Sequence, residues 1–264
     1  MKEVIKNVAS KFGLKIERLD NPNPLTRKYE QAIRELYGAY RATLFQHLPE
    51  LDEDEVKLLS RLDGTQLSEA IYILQLLAKT KSLQGDVCEF GVAQGFTSSL
   101  LAYHLAQTTK TLWLFDSFEG LPKPTEKDKL KDDIFNLGSM EAYQGTMKHS
   151  QEVVIGHVQE TGFPLNRLKI IDGFIEKTIH QPRLPEKVCF AYVDFDFYEP
   201  ILIALEFLQR TLVPGGIVVV DDYDFFSEGA KLAVDEFFAA HQNDYILDLP
   251  IKTAGHFALL TKRS

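Results

Sequence analysis

The stretch FAYVDFDFYEP (190–200) runs from apolar residues straight into two carboxylates, Asp194 and Asp196, with only Phe195 between them. Farther on, GGIVVVDDYD (215–224) repeats the pattern and delivers Asp221 and Asp222 after four apolar residues. Short apolar runs bounded by turn signals read as buried strands. Two such strands that both end on paired acids bring like charges together, and four carboxylates coexist only with protons, distance or a cation. Outward from this pair, the chain after Gly85 alternates. DVCEFGV, TLWLFDSF, LKIIDGF, KVCFAYVDFD and GGIVVVDDY read as strands; TSSLLAYHLAQ, QEVVIGHVQETGF, PILIALEFLQRTL and GAKLAVDEFFAAH read as helices. Strands alternating with helices imply βαβ crossovers. The expected fold is therefore α/β, a Rossmann-like doubly wound sheet, mostly parallel. YILDLPIKTAGHFALLTK (245–262) reads as two strands and a turn that add an antiparallel strand at the C-terminal edge.

Residues 1–84 read as a helical segment placed before a core of residues 85–264. PLTRKYEQAIRELYGAYRATLFQHL has apolar residues near helical spacing, and TQLSEAIYILQLLAKTKSL is an amphipathic helix with Thr65 at its expected N-cap. AIYILQLLA carries more apolar surface than one helix contact needs, so the segment is expected to cover a site or to build a homo-oligomer, a dimer or higher. The head, MKEVIKNVASKFGLKIERL, reads as a packed helix or a partner element. It lacks the apolar stretch of a signal peptide, and no run approaches the ~18 residues of a membrane span, so a cytoplasmic chain without a membrane span is expected. A formal charge of −9 with no basic stripe argues against a nucleic-acid partner. Cys88 and Cys189 each sit in an apolar run and read as small buried hydrophobes. Residues 121–150 form a long polar insertion with little periodicity, the kind of loop that often acts as a lid.

In a doubly wound sheet, ligands bind beyond the C-terminal ends of the strands. The first strand ends CEFGVAQGFTSS, with Glu89 at its tip and Gly91 and Gly95 bracketing a turn that enters a helix at Thr97. Such glycines let backbone approach a ligand, and the helix start offers free N–H groups. The second strand ends on Asp116, 27 residues after Glu89, near where an acid grips ribose hydroxyls; the alternative for Asp116 is a turn residue before Ser117. There is neither a G-x-G-x-x-G fingerprint nor a phosphate loop, so a nucleoside cofactor without a pyrophosphate fits better, and S-adenosylmethionine is one. After the third strand, Asp172 is placed to meet an adenine amino group and Phe174 to pack on the ring; a plain loop explains them equally well.

The fourth and fifth strands are expected to be neighbours, so the four acids converge beside the cofactor's reactive end. Three carboxylates plus water suit a hard ion such as Mg²⁺, which lowers the pKa of an alcohol while a spare carboxylate takes its proton. Acids after strands also cap helices or sit solvated at a rim. A haloacid-dehalogenase-type phosphatase is rejected because Asp194 and Asp221 are only 27 residues apart. A DxD-type metal-dependent glycosyltransferase would leave the glycine turn and Asp116 without a role. A catalytically inactive S-adenosylmethionine-binding protein is the third reading. His104, His149 and His256 are each candidate auxiliary bases or packing residues.

In order and spacing, GDVCEFGVAQGFTSSLLA, LFDSFEGLP, DGFIEKTI and VDFDFYEP…LVPGGIVVVDDY resemble the macrocin O-methyltransferase family, from about Gly85 to Tyr223. The resemblance implies a class I methyltransferase fold and an S-adenosylmethionine- and Mg²⁺-dependent O-methyltransferase. Its acceptor is then a small-molecule or glycan hydroxyl, a sugar on a natural product or polysaccharide. Carried over by position, it implies Asp194, Asp221 and Asp222 as metal ligands and Asp196 as general base. Glu89, Gly91, Gly95, Asp116, Ser117, Asp172 and Gly173 would line the cofactor site. The chain departs from the family in its turn, GVAQGF where an aromatic–Arg–Gly–Gly run is usual, in Phe195 and Phe197 around the DxD, and in a longer, Lys-rich segment after Leu121.

Overall fold

A computed structural model describes residues 23–46 and 48–264. The head discussed above therefore lies outside the described residues, as do residues 1–22 of the N-terminal segment. Three helices come first: α1 (Pro24–Thr43), α2 (Glu53–Ser60) and α3 (Leu67–Thr80). The core then runs β1 (Asp86–Phe90), α4 (Phe96–Leu105), β2 (Leu112–Asp116), α5 (Gln151–Glu160), β3 (Leu168–Asp172), α6 (Ile175–Thr178), β4 (Val188–Val193), α7 (Tyr198–Thr211), β5 (Leu212–Val220), α8 (Glu228–His241), β6 (Tyr245–Asp248) and β7 (Ala258–Lys262). The strands form one seven-stranded sheet in the order β3-β2-β1-β4-β5-β7-β6. β7 pairs antiparallel with both β5 and β6, and the other adjacent pairs are parallel. The expected antiparallel edge is thus the β7–β6 pair, with β6 outermost. No helix among the described residues is long and apolar enough to cross a membrane.

The period-2 alternation of the central strands sorts their side chains between two cores. Phe190 and Tyr192 of β4 and Ile217 and Val219 of β5 join the core shared with α1, α3, α4 and α5. Ala191, Val193, Val218 and Val220 point the other way, into the core under α6, α7 and α8. Helix α3 is buried nearly all round, with Ala70, Ile71 and Ile73 at 0 % exposure. Its apolar surplus, which suggested a covered site or a subunit contact, packs between α1 and the sheet. Nor is Thr65 its N-cap: Gln66 holds that place without a side-chain cap, and Thr65 is buried with its hydroxyl 2.8 Å from that of Thr97. The best-capped start belongs to α2, where Asp52 and Glu55 form a reciprocal capping box.

Parallel register aligns the strand tips that matter. Val193 lies opposite both Phe90 and Val220, the Asp194 N–H donates to the Phe90 carbonyl at 2.7 Å, and the Asp221 N–H donates to the Val193 carbonyl at 2.9 Å. Gly91 makes this close approach possible. Its φ is +84°, and a Cβ there would stand 1.7 Å from the Asp194 carbonyl oxygen.

The 121–150 insertion folds around its own small core, in which Leu121, Met140 and the fully buried Tyr143 pack on Phe197 and Phe226. Asp133 accepts from Tyr143 Oη at 2.7 Å. Asp128, 3 % exposed, accepts from the Thr125 N–H and hydroxyl and from the Tyr198 N–H at the start of α7, each at 2.7 Å. A bridge between Leu130 and Ser227 and ion pairs Lys127–Glu236, Lys129–Glu228 and Lys131–Asp224 fasten the segment along the start of α8.

Gly91 and Gly138 share a φ of +84°, but nothing lies within 4 Å of a Cβ at Gly138. Gly138→Ala is therefore expected to cost about 1 kcal/mol, the left-handed penalty alone. Gly91→Ala adds a backbone collision and is expected to cost over ~3 kcal/mol or to prevent folding. Urea unfolding of the two variants checks this, and equal losses would contradict it.

Candidate active site

One cleft opens beyond the C-terminal ends of β1, β2, β4 and β5, with about 300 Å³ of free volume. Its first wall is the turn after β1. Gly91, Val92, Ala93 and Gln94 line it, and Gly95, at φ +81°, starts α4 so that Phe96 and Thr97 also face the cleft. Gly95 itself packs on Val154 of α5. Asp116 sets the turn's shape: one carboxylate oxygen accepts from the Val92 and Ala93 N–H groups (2.7 and 3.3 Å), the other from Phe118 N–H (2.7 Å). A carboxylate has about four acceptor positions, so Asp116 retains capacity for ligand hydroxyls. The turn-residue reading and the ligand reading are thus compatible. Ser117 also lines the cleft and donates to the Gly120 carbonyl at 3.0 Å.

Glu89 lies at the bottom of this wall, 1 % exposed, accepting from the Ser98 hydroxyl. Burial pushes its pKa up to about 8, partly opposed by the Ser98 hydrogen bond and reinforced by the charge of Asp116. Phe174, on the loop before α6, lines the cleft as expected, but Asp172 and Gly173 do not. Asp172 is exposed, and Gly173 uses its N–H on the Asp116 carbonyl at 2.9 Å. Both stand beside the β2 tip and neither reaches the cavity surface.

The opposite wall carries the acids. Asp194, Asp196, Asp221 and Asp222 all line the cleft. Carboxylate oxygens of Asp194, Asp196 and Asp222 lie within 4.8 Å of one another, a spacing that suits a metal ion. Both Asp196 (φ +62°) and Asp222 (φ +57°) adopt the left-handed backbone, which Asp tolerates better than most residues and which folds each chain back at its strand tip. Asp221 stands differently. Its Oδ2 accepts from Tyr192 Oη and its Oδ1 from the Asp222 N–H, both at 2.7 Å. The close triplet therefore contains Asp196 in the place that the resemblance gives to Asp221. Burial is the largest cause that raises the pKa of each of the four, and the mutual charges of the cluster raise Asp194, Asp196 and Asp222 further. The carboxyls of Asp196 and Asp222 interact directly, which lowers the proton affinity of Asp196 and raises that of Asp222.

A fifth acid was not anticipated. Glu69 of α3 is 2 % exposed, bonds to Asp221 and leaves its Oε1 without a partner among the described residues. Burial, then the charges of Asp221 and Asp194, raise its pKa well above the usual carboxylate range. The available signal was an acid four residues before Ile73 on a helix that is otherwise apolar on that face. The insertion adds four apolar residues to the cleft, Leu121, Pro122, Ile134 and Met147, which also escaped sequence reasoning. None of His104, His149 and His256 lines the cleft; His256 stacks on Phe225 with ring centroids 4.9 Å apart.

Residues 74–255 match the model of the macrocin O-methyltransferase family. Over 170 residues the chain is 29 % identical to the 8-demethyl-8-(2,3-dimethoxy-alpha-L-rhamnosyl)-tetracenomycin-C 4'-O-methyltransferase of Streptomyces olivaceus. Over 146 residues it is 31 % identical to the mycinamicin III 3''-O-methyltransferase of Micromonospora griseorubida. These stretches cover 62 and 53 % of this chain and 60 and 55 % of the two relatives, so the chain matches well under two thirds of their length. Among solved structures, the O-methyltransferase NovP superposes with a TM-score of 0.64 at 20 % identity, covering 90 % of this chain and 99 % of that one. The calicheamicin methyltransferase CalS11 gives 0.59, also at 20 %, covering 91 and 94 %. The fold is that of the class I O-methyltransferases.

Glu89 supplies a pH test in the ligand-free protein. Its carboxyl binds a proton more tightly folded (pKa about 8) than unfolded (4.5), so its contribution is fully present below pH 4.5 and is lost as pH rises through 8. The stability of the wild type relative to Glu89→Gln should therefore fall by a few kcal/mol between pH 4.5 and 8 and then level off. Parallel urea-unfolding profiles for the two proteins would contradict a neutral Glu89.

Proposed function

Because the chain belongs to the macrocin O-methyltransferase family, we propose that it transfers a methyl group from S-adenosylmethionine to a hydroxyl, with Mg²⁺ as second cofactor. The acceptor is a sugar of a natural product or polysaccharide. One observation carries the reading: the glycine turn with Asp116 and the triplet Asp194, Asp196 and Asp222 face each other across a single cleft. A nucleoside with a charged amino-acid tail fits the first wall and a hard dication fits the second.

On the first wall, Asp116 takes the ribose hydroxyls, the N–H groups of the turn and Glu89 meet the amino-acid tail, and Phe174 packs on the adenine. Thr97 and Ser117 complete that wall, while Asp172 and Gly173 lie behind it at the β2 tip. On the second wall, a three-carboxylate donor set whose members repel one another fits a dication. Asp194 and Asp222, common to the close triplet and to the set implied by the resemblance, would anchor it. As the side chains stand, Asp196 supplies the third carboxylate, while Asp221 accepts from Tyr192 Oη and the Asp222 N–H. Bound there, Mg²⁺ would lower the pKa of an acceptor hydroxyl. Asp196 would take the acceptor's proton, and S-adenosylmethionine would supply the methyl group to the acceptor oxygen, leaving as the neutral thioether S-adenosylhomocysteine. The walls hold the two reactants aligned, and alignment supplies much of the remaining rate. The family and the fold leave the glycosyltransferase reading without support. A methyltransferase fold that binds without turnover is separated by assay.

Calorimetric titration with S-adenosylhomocysteine, with and without Mg²⁺, tests the assignment: saturable micromolar binding is expected, and its absence would refute the cofactor. Asp222→Asn should lose Mg²⁺ binding. Asp196→Asn should keep S-adenosylhomocysteine binding yet turn over at least ~100-fold more slowly; normal turnover would remove Asp196 as the base.

A further inference from the structure

Three residues of the turn after β1 adopt left-handed backbone: Gly91 at φ +84°, Ala93 at φ +44° and Gly95 at φ +81°. Glycine takes that region freely, whereas the Cβ of Ala93 resists it. Strained backbone persists only where its surroundings hold it. From the β2 side the holder is Asp116, which accepts from the Val92 and Ala93 N–H groups. The exposed Asp63 accepts from the Gln94 side chain at 3.0 Å.

The far side of the turn rests on α5. The carbonyl of Gln94, which stands between the left-handed Ala93 and Gly95, lies 2.8 Å from Nδ1 of His157. A carbonyl oxygen can only accept, so Nδ1 carries the proton and donates. The imidazole also stacks on Phe96, with ring centroids 4.8 Å apart and planes inclined by 19°. Three residues earlier, on the same face of α5, Val154 packs on Gly95. Three residues later, Glu160 pairs at 2.8 Å with Arg61, whose guanidinium is 5.8 Å from the Phe96 ring.

Gln94 and Phe96 line the cleft, and His157 does not. His157 therefore grips the turn from behind, at the carbonyl before Gly95 and at the ring after it. Backbone N–H groups bind a ligand tightly when their directions are set in advance, whereas a turn free to relax must be ordered again on binding. A strained turn released from one tie recovers part of its strain as it relaxes. The loss of that tie accordingly falls on ligand affinity more than on folding stability.

We propose that His157 is a positioning residue for S-adenosylmethionine, an assignment that rests on the methyltransferase reading. Its Nδ1–H bond to the Gln94 carbonyl holds the turn in the left-handed shape that meets the cofactor, and its stack on Phe96 sets the plane of the imidazole. His157 acts through the turn, from outside the cleft.

The test titrates the full chain with S-adenosylhomocysteine by calorimetry and follows urea unfolding of the same proteins. His157→Phe keeps a stacking ring and loses the donor; His157→Asn loses the ring and keeps an N–H donor near the place of Nδ1. His157→Phe should weaken S-adenosylhomocysteine about tenfold or more with a urea midpoint close to that of the wild type, and His157→Asn should stay within about threefold of the wild-type affinity. His157→Ala, which lacks both features, should weaken the ligand at least as much as His157→Phe, and it makes the same comparison with His157→Asn if the larger ring is not accommodated. Wild-type affinity in the variants without the donor would overturn the proposal. So would equal losses with and without the donor, or a loss of affinity matched by an equal loss of folding stability. Failure of the wild-type chain to bind S-adenosylhomocysteine is a separate result that removes the methyltransferase reading and this assignment with it.

Discussion

Crowding of carboxylates at the tips of two adjacent parallel strands is the constraint around which the rest of the structure is arranged. The register of β4 against β1 and β5 places Asp194 and Asp221 side by side. Left-handed turns then return Asp196 and Asp222 to the same space. Like charges this close raise one another's proton affinity, and the surroundings supply little relief: Tyr192 and a backbone N–H on Asp221, and Glu69 behind it. An arrangement of this kind costs stability, and a dication, as in the proposed function, would offset that cost.

Everything else in the core positions that cluster against a second wall. Gly91 lets the turn after β1 lie directly on the Asp194 carbonyl, so cofactor wall and acid wall are separated by a single backbone contact. Asp116 uses its carboxylate to shape the same turn, which couples the tip of β2 to it. The insertion closes the remaining side through Asp128, which is shared with the start of α7, and through three lysine–acid pairs along α8. Those three lysines fasten the insertion to α8 and the turn before it.

The parallel sheet and the strand-tip acids were legible in the sequence because both follow from short-range rules: apolar period, βαβ alternation, and polar residues where strands stop. Glu89, Asp116 and the four aspartates came from that logic, and all six line one cleft. Asp172 did not follow, because whether a residue one step past a strand faces the cavity depends on the loop's path, here fixed by the Gly173–Asp116 hydrogen bond. Glu69 was invisible for a different reason. An acid near a helix N-terminus looks like a dipole partner, and only the packing of α3 on the sheet turns it toward Asp221. The insertion's apolar contribution to the cleft was hidden in a segment without periodicity, since its side chains are organised by a local core around Tyr143 and not by a repeating element.

The central claim is that the acid cluster is a divalent-cation site adjoining the cofactor's sulfur, and a crystal grown with Mn²⁺ and S-adenosylhomocysteine addresses it directly. The account predicts one strong anomalous peak coordinated by Asp194 and Asp222, with the homocysteine sulfur beside it and the ribose on Asp116. A cleft that holds the nucleoside but shows no anomalous density at the four aspartates would contradict it.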